Sequence, residues 1–277
     1  MAERAQIWLK SMPKGTTRSV IMPCRPTCRC RLAAMQGRAV VCALAILGAG
    51  CAPAGMPPPG ALPAKHTARL FSAEGVLQDG WEHLPLKGQT VYTIAVLDGR
   101  PAIRAVGARS ASLLVRRVSV DPRRCPTAQW SWRATRIQES AQLDVRRRED
   151  VAASVFLLFG DPGFLYDPKP VPTVRYVWTN GRAPVGAVVD SPYLPGTVRS
   201  IVLRSGAADQ PGWVTESRNL ADDFKLAFPE ASEMPERIHA VALFTDNDQT
   251  GEPAEAYYGE GRVGCMAAAP VNRPDTQ

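Results

Sequence analysis

The chain has no apolar run long enough to cross a bilayer. Its longest, Ala39-Val-Val-Cys-Ala-Leu-Ala-Ile-Leu-Gly-Ala-Gly-Cys51, holds about a dozen residues against the ~20 that a spanning helix needs. That length, ending in small residues, fits a secretory h-region. Catalytic signatures are also missing: there is no Gly-x-Ser-x-Gly, His-Glu-x-x-His or phosphate-binding glycine loop. Histidine is sparse, with 3 in 277 residues. His66 adjoins a Pro-rich stretch, His83 and His239 are far apart, and His239 opens an apolar strand, where packing is the expectation. Carboxylates for glycoside hydrolysis could come from Asp150, Glu216, Asp222 or Asp246, but their spacing selects no two of them.

Net charge is lacking once the leader is set aside. The chain carries +7, from 33 Lys/Arg and 26 Asp/Glu. Residues 1–50 hold 8 of the basic and 1 of the acidic residues, which leaves 25 of each sign. A neutral remainder has no electrostatic footprint for a phosphate backbone, so nucleic acid is not an expected partner. The ending Leu47-Gly-Ala-Gly-Cys51 resembles the lipobox of bacterial lipoproteins, in which the cysteine is acylated and becomes the N-terminus. Lipidation of Cys51 is the expectation, with ordinary signal-peptide cleavage as the alternative. Met35-Gln-Gly-Arg38 would make a compact basic n-region, so translation is expected to start there and residues 1–34 to be a mis-called extension. The cluster Cys24-x3-Cys28-x-Cys30 has no second pair at finger spacing.

Of 7 cysteines, the processed chain keeps Cys51, Cys125 and Cys265. With Cys51 lipidated in an oxidising compartment, one pair is left and a Cys125–Cys265 disulfide is predicted, against two buried thiols. Residues 52–66 are dense in proline and read as an extended tether. From 70 to 264 the sequence is continuous and globular, followed by a tail at 265–277.

That region reads as strands separated by turn clusters. Val91–Val96 ends at the hairpin signal Asp98-Gly99. Ala102–Val106 and Ser112–Val120 follow. Ala128–Arg136 places Ala128, Trp130, Trp132 and Ala134 on one face and Gln129, Ser131, Arg133 and Thr135 on the other. Val151–Phe159 is almost wholly apolar, as a strand covered on both faces would be. Thr173–Thr179, Val198–Arg204, Trp213–Glu216, His239–Thr245 and Ala256–Gly264 complete the set. One helix is expected at 220–228, with Leu220, Phe224, Ala227 and Phe228 on one face, Asn219 as N-cap and Pro229 as its stop. The fold class expected is all-β: a jelly-roll-like β-sandwich with one short helix.

An ordered set of motifs now comes together. It comprises Ser110-Ala-Ser112, Trp130-x-Trp132-Arg133, Glu149-Asp150, Tyr176-x-Trp178, Val202-x-x-Ser205-Gly206, Trp213-x-x-Glu216-x-Arg218-Asn219, Asp223-Phe224, Thr245-Asp-x-Asp248-x-Thr250-Gly251 and Ala256-Tyr-Tyr-Gly259. In that order they resemble the exported bacterial proteins known as domain of unknown function 3047. The resemblance covers about Phe71 to Val263 and implies an exported β-rich protein with no established activity. Ser154 stands where the resemblance would put an arginine after Glu149-Asp150, so an acid–arginine pair made there would be missing.

Asp246, Asp248 and Thr250 alternate along a tight turn as in the first half of a Ca²⁺ loop, making Ca²⁺ the one candidate cofactor. An EF-hand is excluded because Tyr257 stands at loop position twelve; a plain hairpin turn is the alternative. Trp130, Trp132 and Trp178 are expected in the core, and Trp213, after Pro211-Gly212, nearer the surface. Glu216 and Arg218 fall on one side of an extended chain. With Trp213 and Asn219 they form the candidate ligand site, against an ion pair beside a helix cap. Arg146–Asp150 reads as a solvated charged loop. The expected function is an exported, periplasmic or outer-membrane-attached lipoprotein whose non-catalytic sandwich binds a carbohydrate or another envelope ligand. The alternatives are a structural lipoprotein with a protein partner and a glycan hydrolase.

Overall fold

Alternating apolar positions build two sheets that share one core. The structure is a computed structural model describing residues 67–75, 80–164, 167–206 and 212–266. The leader, Cys51, the Pro-rich stretch and the tail beyond Met266 lie outside the described residues. The strands are β1 (Thr67–Phe71), β2 (Trp81–Lys87), β3 (Val91–Leu97), β4 (Arg100–Val106), β5 (Ala111–Val120), β6 (Thr127–Arg136), β7 (Ala153–Phe159) and the short pair β8 (Gly163–Phe164) and β9 (Asp167–Pro168). They continue with β10 (Thr173–Thr179), β11 (Val188–Asp190), β12 (Val198–Ser205) and β13 (Val214–Asn219), which runs into α1 (Leu220–Ala227). β14 (Ile238–Phe244) and β15 (Glu255–Gly264) close the chain order.

The six-stranded sheet has the order β13-β6-β15-β4-β3, with β1 also on β15. The seven-stranded sheet has the order β11-β12-β10-β7-β14-β5-β2. Early strands therefore pair with the last two: β4 and β6 flank β15, and β5 flanks β14. This is a jelly-roll-like all-β sandwich with one two-turn helix among the described residues. All the ladders within the two large sheets are antiparallel except β10–β12.

Between the sheets lie Trp130, Trp132, Trp178, Tyr176 and Tyr258, all essentially without exposure. Trp130 meets Trp132 edge-on at 5.7 Å and Tyr176 at 4.9 Å. Each such buried ring contributes on the order of 1.5–3 kcal/mol through the surface it withdraws from water. The α1 stripe works as its spacing requires: Leu220, Phe224, Ala227 and Phe228 are buried, and Phe224 packs on Phe159 at 4.9 Å. Asn219 accepts from the Ala221 and Asp222 amides at 3.0 and 3.2 Å, capping the helix. Cys125, just before β6, and Cys265, just after β15, are joined by a disulfide that closes a 140-residue separation.

Candidate functional site

Alternation along β13 decides the fate of the sequence's candidate site. Val214 pairs with Trp132, Glu216 with Trp130 and Arg218 with Ala128, so these three face the core side. Trp213, one residue before the strand, falls on the opposite, outer face. The four residues read from the sequence as one site therefore do not converge. Glu216 is buried and accepts from Trp132 Nε1 at 3.0 Å and from Arg204 Nε at 2.7 Å. Arg218 donates through Nε to Asp223 Oδ2 at 2.9 Å, and Tyr176 Oη donates to the same oxygen at 2.9 Å. The expected Glu216–Arg218 pair is thus replaced by two separate pairs, and Asn219 is spent on the cap.

The turn at 245–251 also differs from its reading. The third carboxylate comes from Asp150, about a hundred residues away. One oxygen each of Asp150, Asp246 and Asp248 lies within 4.8 Å of the others. Thr250 is tied to that third carboxylate: its hydroxyl and its amide both donate to Asp150 Oδ2 at 2.6 Å. Asp246 Oδ1 accepts from the Val151 amide at 2.9 Å, and Lys87 Nζ lies 3.0 Å from Asp248 Oδ2. Positive charge and N–H donors are already supplied by the protein, which suits an internal polar knot better than a Ca²⁺ shell of oxygen ligands.

The same knot corrects the reading of Arg146–Asp150 as a solvated loop. Arg146, Arg147 and Arg148 are exposed, but Glu149 and Asp150 are buried. Nor is an acid–arginine pair missing. Arg175 of β10 donates through Nη1 to Glu149 Oε1 at 2.9 Å and through Nε to Ser154 Oγ at 3.2 Å. The guanidinium lies over the Phe156 and Phe244 rings at 5.3 and 5.6 Å. Burial raises the Glu149 carboxyl above its ordinary range despite Arg175. Burial also raises Asp246, opposed by Arg175 and reinforced by Asp150. These acids sit too deep to meet a polymeric substrate.

The outer face of the six-stranded sheet offers different chemistry. Tyr257 lies opposite Arg104 of β4 and Arg133 of β6, and Thr93 of β3 lies opposite Arg104. Trp213 directly precedes Val214, the first residue of β13, which pairs with Trp132 of β6, so extending that register by one residue sets it beside Arg133. One row across the sheet therefore reads Arg104, Tyr257, Arg133, Trp213. Tyr257 and Trp213 are half-buried, which leaves part of each aromatic side chain open to solvent. Trp213 Nε1 donates to Leu97 O at 3.2 Å, and Arg133 Nη1 donates to Asp98 Oδ2 at 2.6 Å, so the β3–β4 turn braces one end of the row. Arg133 Nε is buried without an acceptor among the described residues. At the other end Glu255 accepts from Arg104 Nε at 2.7 Å and from Thr135 Oγ1 at 3.0 Å. Burial would raise Glu255, but the Arg104 and Thr135 hydrogen bonds outweigh it and hold the carboxyl below its ordinary value. Both acids here are held by arginines, an arrangement suited to binding rather than proton transfer. Tyr257, Arg133 and Arg104 escaped the sequence reading as a site. Their only signal was the outward parity of Arg133 in a well-alternating strand.

Residues 79–261 match the family described as "Protein of unknown function (DUF3047)". The chain belongs to that family. The DUF3047 match spans β2 to most of β15 and so contains every strand of the two large sheets except β1, together with the row just described. No curated protein matches the chain significantly. Among solved structures it is similar to a family 11 carbohydrate-binding module of the cellulase Lic26A-Cel5E from Clostridium thermocellum. That match has 7% identity and a TM-score of 0.38, over 74% of this chain and 97% of that one. It is also similar to the carbohydrate recognition domain of Emp47p, with 10% identity and a TM-score of 0.36, over 76% and 100% of the two chains. A third likeness is to the Endo-D glycoside hydrolase domain from Streptococcus pneumoniae R6, with 8% identity and a TM-score of 0.34. It covers 69% of this chain but only 22% of that one, so this chain spans about a fifth of its length.

Proposed function

We propose that this protein is an exported, non-catalytic binding module, tethered to a membrane through a lipid on Cys51, that holds an envelope glycan on the outer face of its six-stranded sheet. The observation that carries the reading is the paired row Arg104, Tyr257, Arg133 with Trp213 at its β13 end, just before the ladder, which sets two half-open aromatic side chains among guanidiniums. Aromatic faces pack against the apolar faces of pyranose rings, and the polar groups between them orient hydroxyls. Strands hold such a row more rigidly than loops would.

A glycan array with the purified protein tests this. Specific binding that drops at least about tenfold in Trp213→Ala and in Tyr257→Ala, a loss of about 1.4 kcal/mol each, supports it. Silence across the array would favour a protein partner instead, and turnover of any polysaccharide would overturn the non-catalytic reading. The tether is tested separately, by palmitate labelling that Cys51→Ser abolishes.

A further inference from the structure

Sheet edges are open hydrogen-bonding templates, and proteins guard them with charge, proline, bulges or shortness. Among the described residues, four of the five edges of the two large sheets carry such a guard. β1 has Arg69 and a register break between Arg69 and Phe71. β2 has Pro85, Lys87 and a break between them. β11 is 3 residues long. β13 carries Glu216 and Arg218 and turns directly into α1.

β3 has none of these. Val91-Tyr-Thr-Ile-Ala-Val-Leu97 holds no charge and no proline, and its register against β4 is unbroken from Val91–Val106 to Leu97–Arg100. It also carries Val91, Ile94 and Val96 with 48%, 47% and 70% of their surface exposed, a concentration of open β-branched residues on one strand. Among the described residues no strand pairs with its far side.

The hairpin fixes which backbone groups are free. Asp98 and Gly99 both have positive φ, 52° and 73°, as a two-residue type I′ turn requires. Leu97 and Arg100 are then the closing hydrogen-bonded pair, so Val91, Thr93, Ala95 and Leu97 address β4. Tyr92, Ile94 and Val96 point their N–H and C=O groups away from the sheet. An antiparallel strand centred on Ile94 satisfies all three, and β3 is itself such a strand. Self-pairing sets Ile94 on Ile94, Tyr92 on Val96, Val91 on Leu97 and Thr93 on Ala95, so every exposed apolar side chain meets an apolar partner.

We infer that β3 is a pairing edge through which two copies of this chain join their six-stranded sheets about a two-fold axis at Ile94. The contact is isologous and closes at two copies, so it gives a dimer rather than a fibre. It adds roughly six backbone hydrogen bonds, two for each facing pair of outward residues.

Light scattering on the purified full chain at high micromolar concentration tests this, together with amide exchange. The expected mass is twice that of one chain. Ile94→Lys, which sets two ammonium groups face to face on the axis, returns it to a single chain with an unchanged circular dichroism spectrum. In the wild type the Tyr92, Ile94 and Val96 amides exchange at least about tenfold more slowly than in Ile94→Lys, while Thr93 and Ala95 stay protected in both. If Ile94→Lys does not fold, Val96→Lys at the more exposed position serves in its place. A monomeric wild type overturns the inference. So does a dimer that survives both substitutions, or one in which those three amides exchange freely. Neither result bears on glycan binding, which lies on the face of the sheet and not on its edge.

Discussion

Arg175 and Glu149 meet at 2.9 Å with both side chains buried, and Arg175 Nη2 lies 3.9 Å from Asp246 Oδ1. One guanidinium thus serves two buried acids from different loops. It pins residues 149–151 and the 245–251 turn to the outer face of the seven-stranded sheet.

Removing that guanidinium leaves the Glu149 carboxyl buried without its hydrogen-bonded cation and takes the same cation from beside Asp246. Arg175→Ala is expected to cost about 3–5 kcal/mol, as loss of one partner of a buried ion pair does. Arg175→Met/Glu149→Gln, which removes charge from both sides, should recover a good part. Urea unfolding measures both, and a single-variant loss under about 1 kcal/mol would contradict the role given to this pair.

Stability should fall as pH rises above the ordinary aspartate value of 3.8 toward the raised value of the folded chain. Asp246 is held protonated in the folded chain well above the ordinary 3.8, because burial outweighs Arg175. Between those two values the unfolded chain has lost a proton that the folded chain keeps, so raising the pH favours unfolding. Glu149 is shifted the same way and adds to the slope. Melting temperatures recorded against pH should show a shallower decline in Asp246→Asn. Glu255 runs opposite: its depressed carboxyl stabilises above the ordinary 4.5 and loses that contribution as pH falls through its folded value. Glu255→Gln should therefore cost about 1–3 kcal/mol near neutral pH and little in acid.

Cys125 and Cys265 tie the entry of β6 to the exit of β15 across 140 residues. Chain-entropy reasoning puts an upper bound of about 5 kcal/mol on such a closure. Reductant, or Cys125→Ser/Cys265→Ser, should lower the unfolding midpoint by an amount in the 2–5 kcal/mol range typical of native disulfides. An unchanged midpoint would mean that the bridge constrains nothing the ladders do not.

Gly261 is where β1 seats Phe71. A Cβ there would stand 2.4 Å from the Phe71 ring, and Phe71 is completely buried. Gly261→Ala should cost about 1–3 kcal/mol through overpacking. Phe71→Leu placed on that background should return part of it, whereas additive losses would place the strain elsewhere.

Most strands could be read because their side chains alternate. Thr173–Thr179 occupies the span its pattern indicates, and Trp130 and Trp132 share the core face. The almost wholly apolar run from Val151 starts its strand only at Ala153, since the Val151 amide is taken by Asp246. β2 and β11 went unseen because Pro85, Lys87 and brevity, the features that guard those edges, also erase a strand pattern. The Arg175–Glu149 and Asp150–Thr250 contacts join residues 26 and 100 apart, a pairing that strand order creates and local spacing does not encode. On β13 parity placed Glu216 and Arg218 together correctly. It also separated them from Trp213, because odd and even positions of one strand cannot face the same ligand.

The most direct measurement is a crystal structure of the protein with an oligosaccharide found to bind it. A pyranose ring stacked on Tyr257 or Trp213, with its hydroxyls within hydrogen-bond reach of Arg133 or Arg104, is the predicted result. A sugar seated on the seven-stranded sheet, with the Tyr257–Trp213 row left bare, would contradict it.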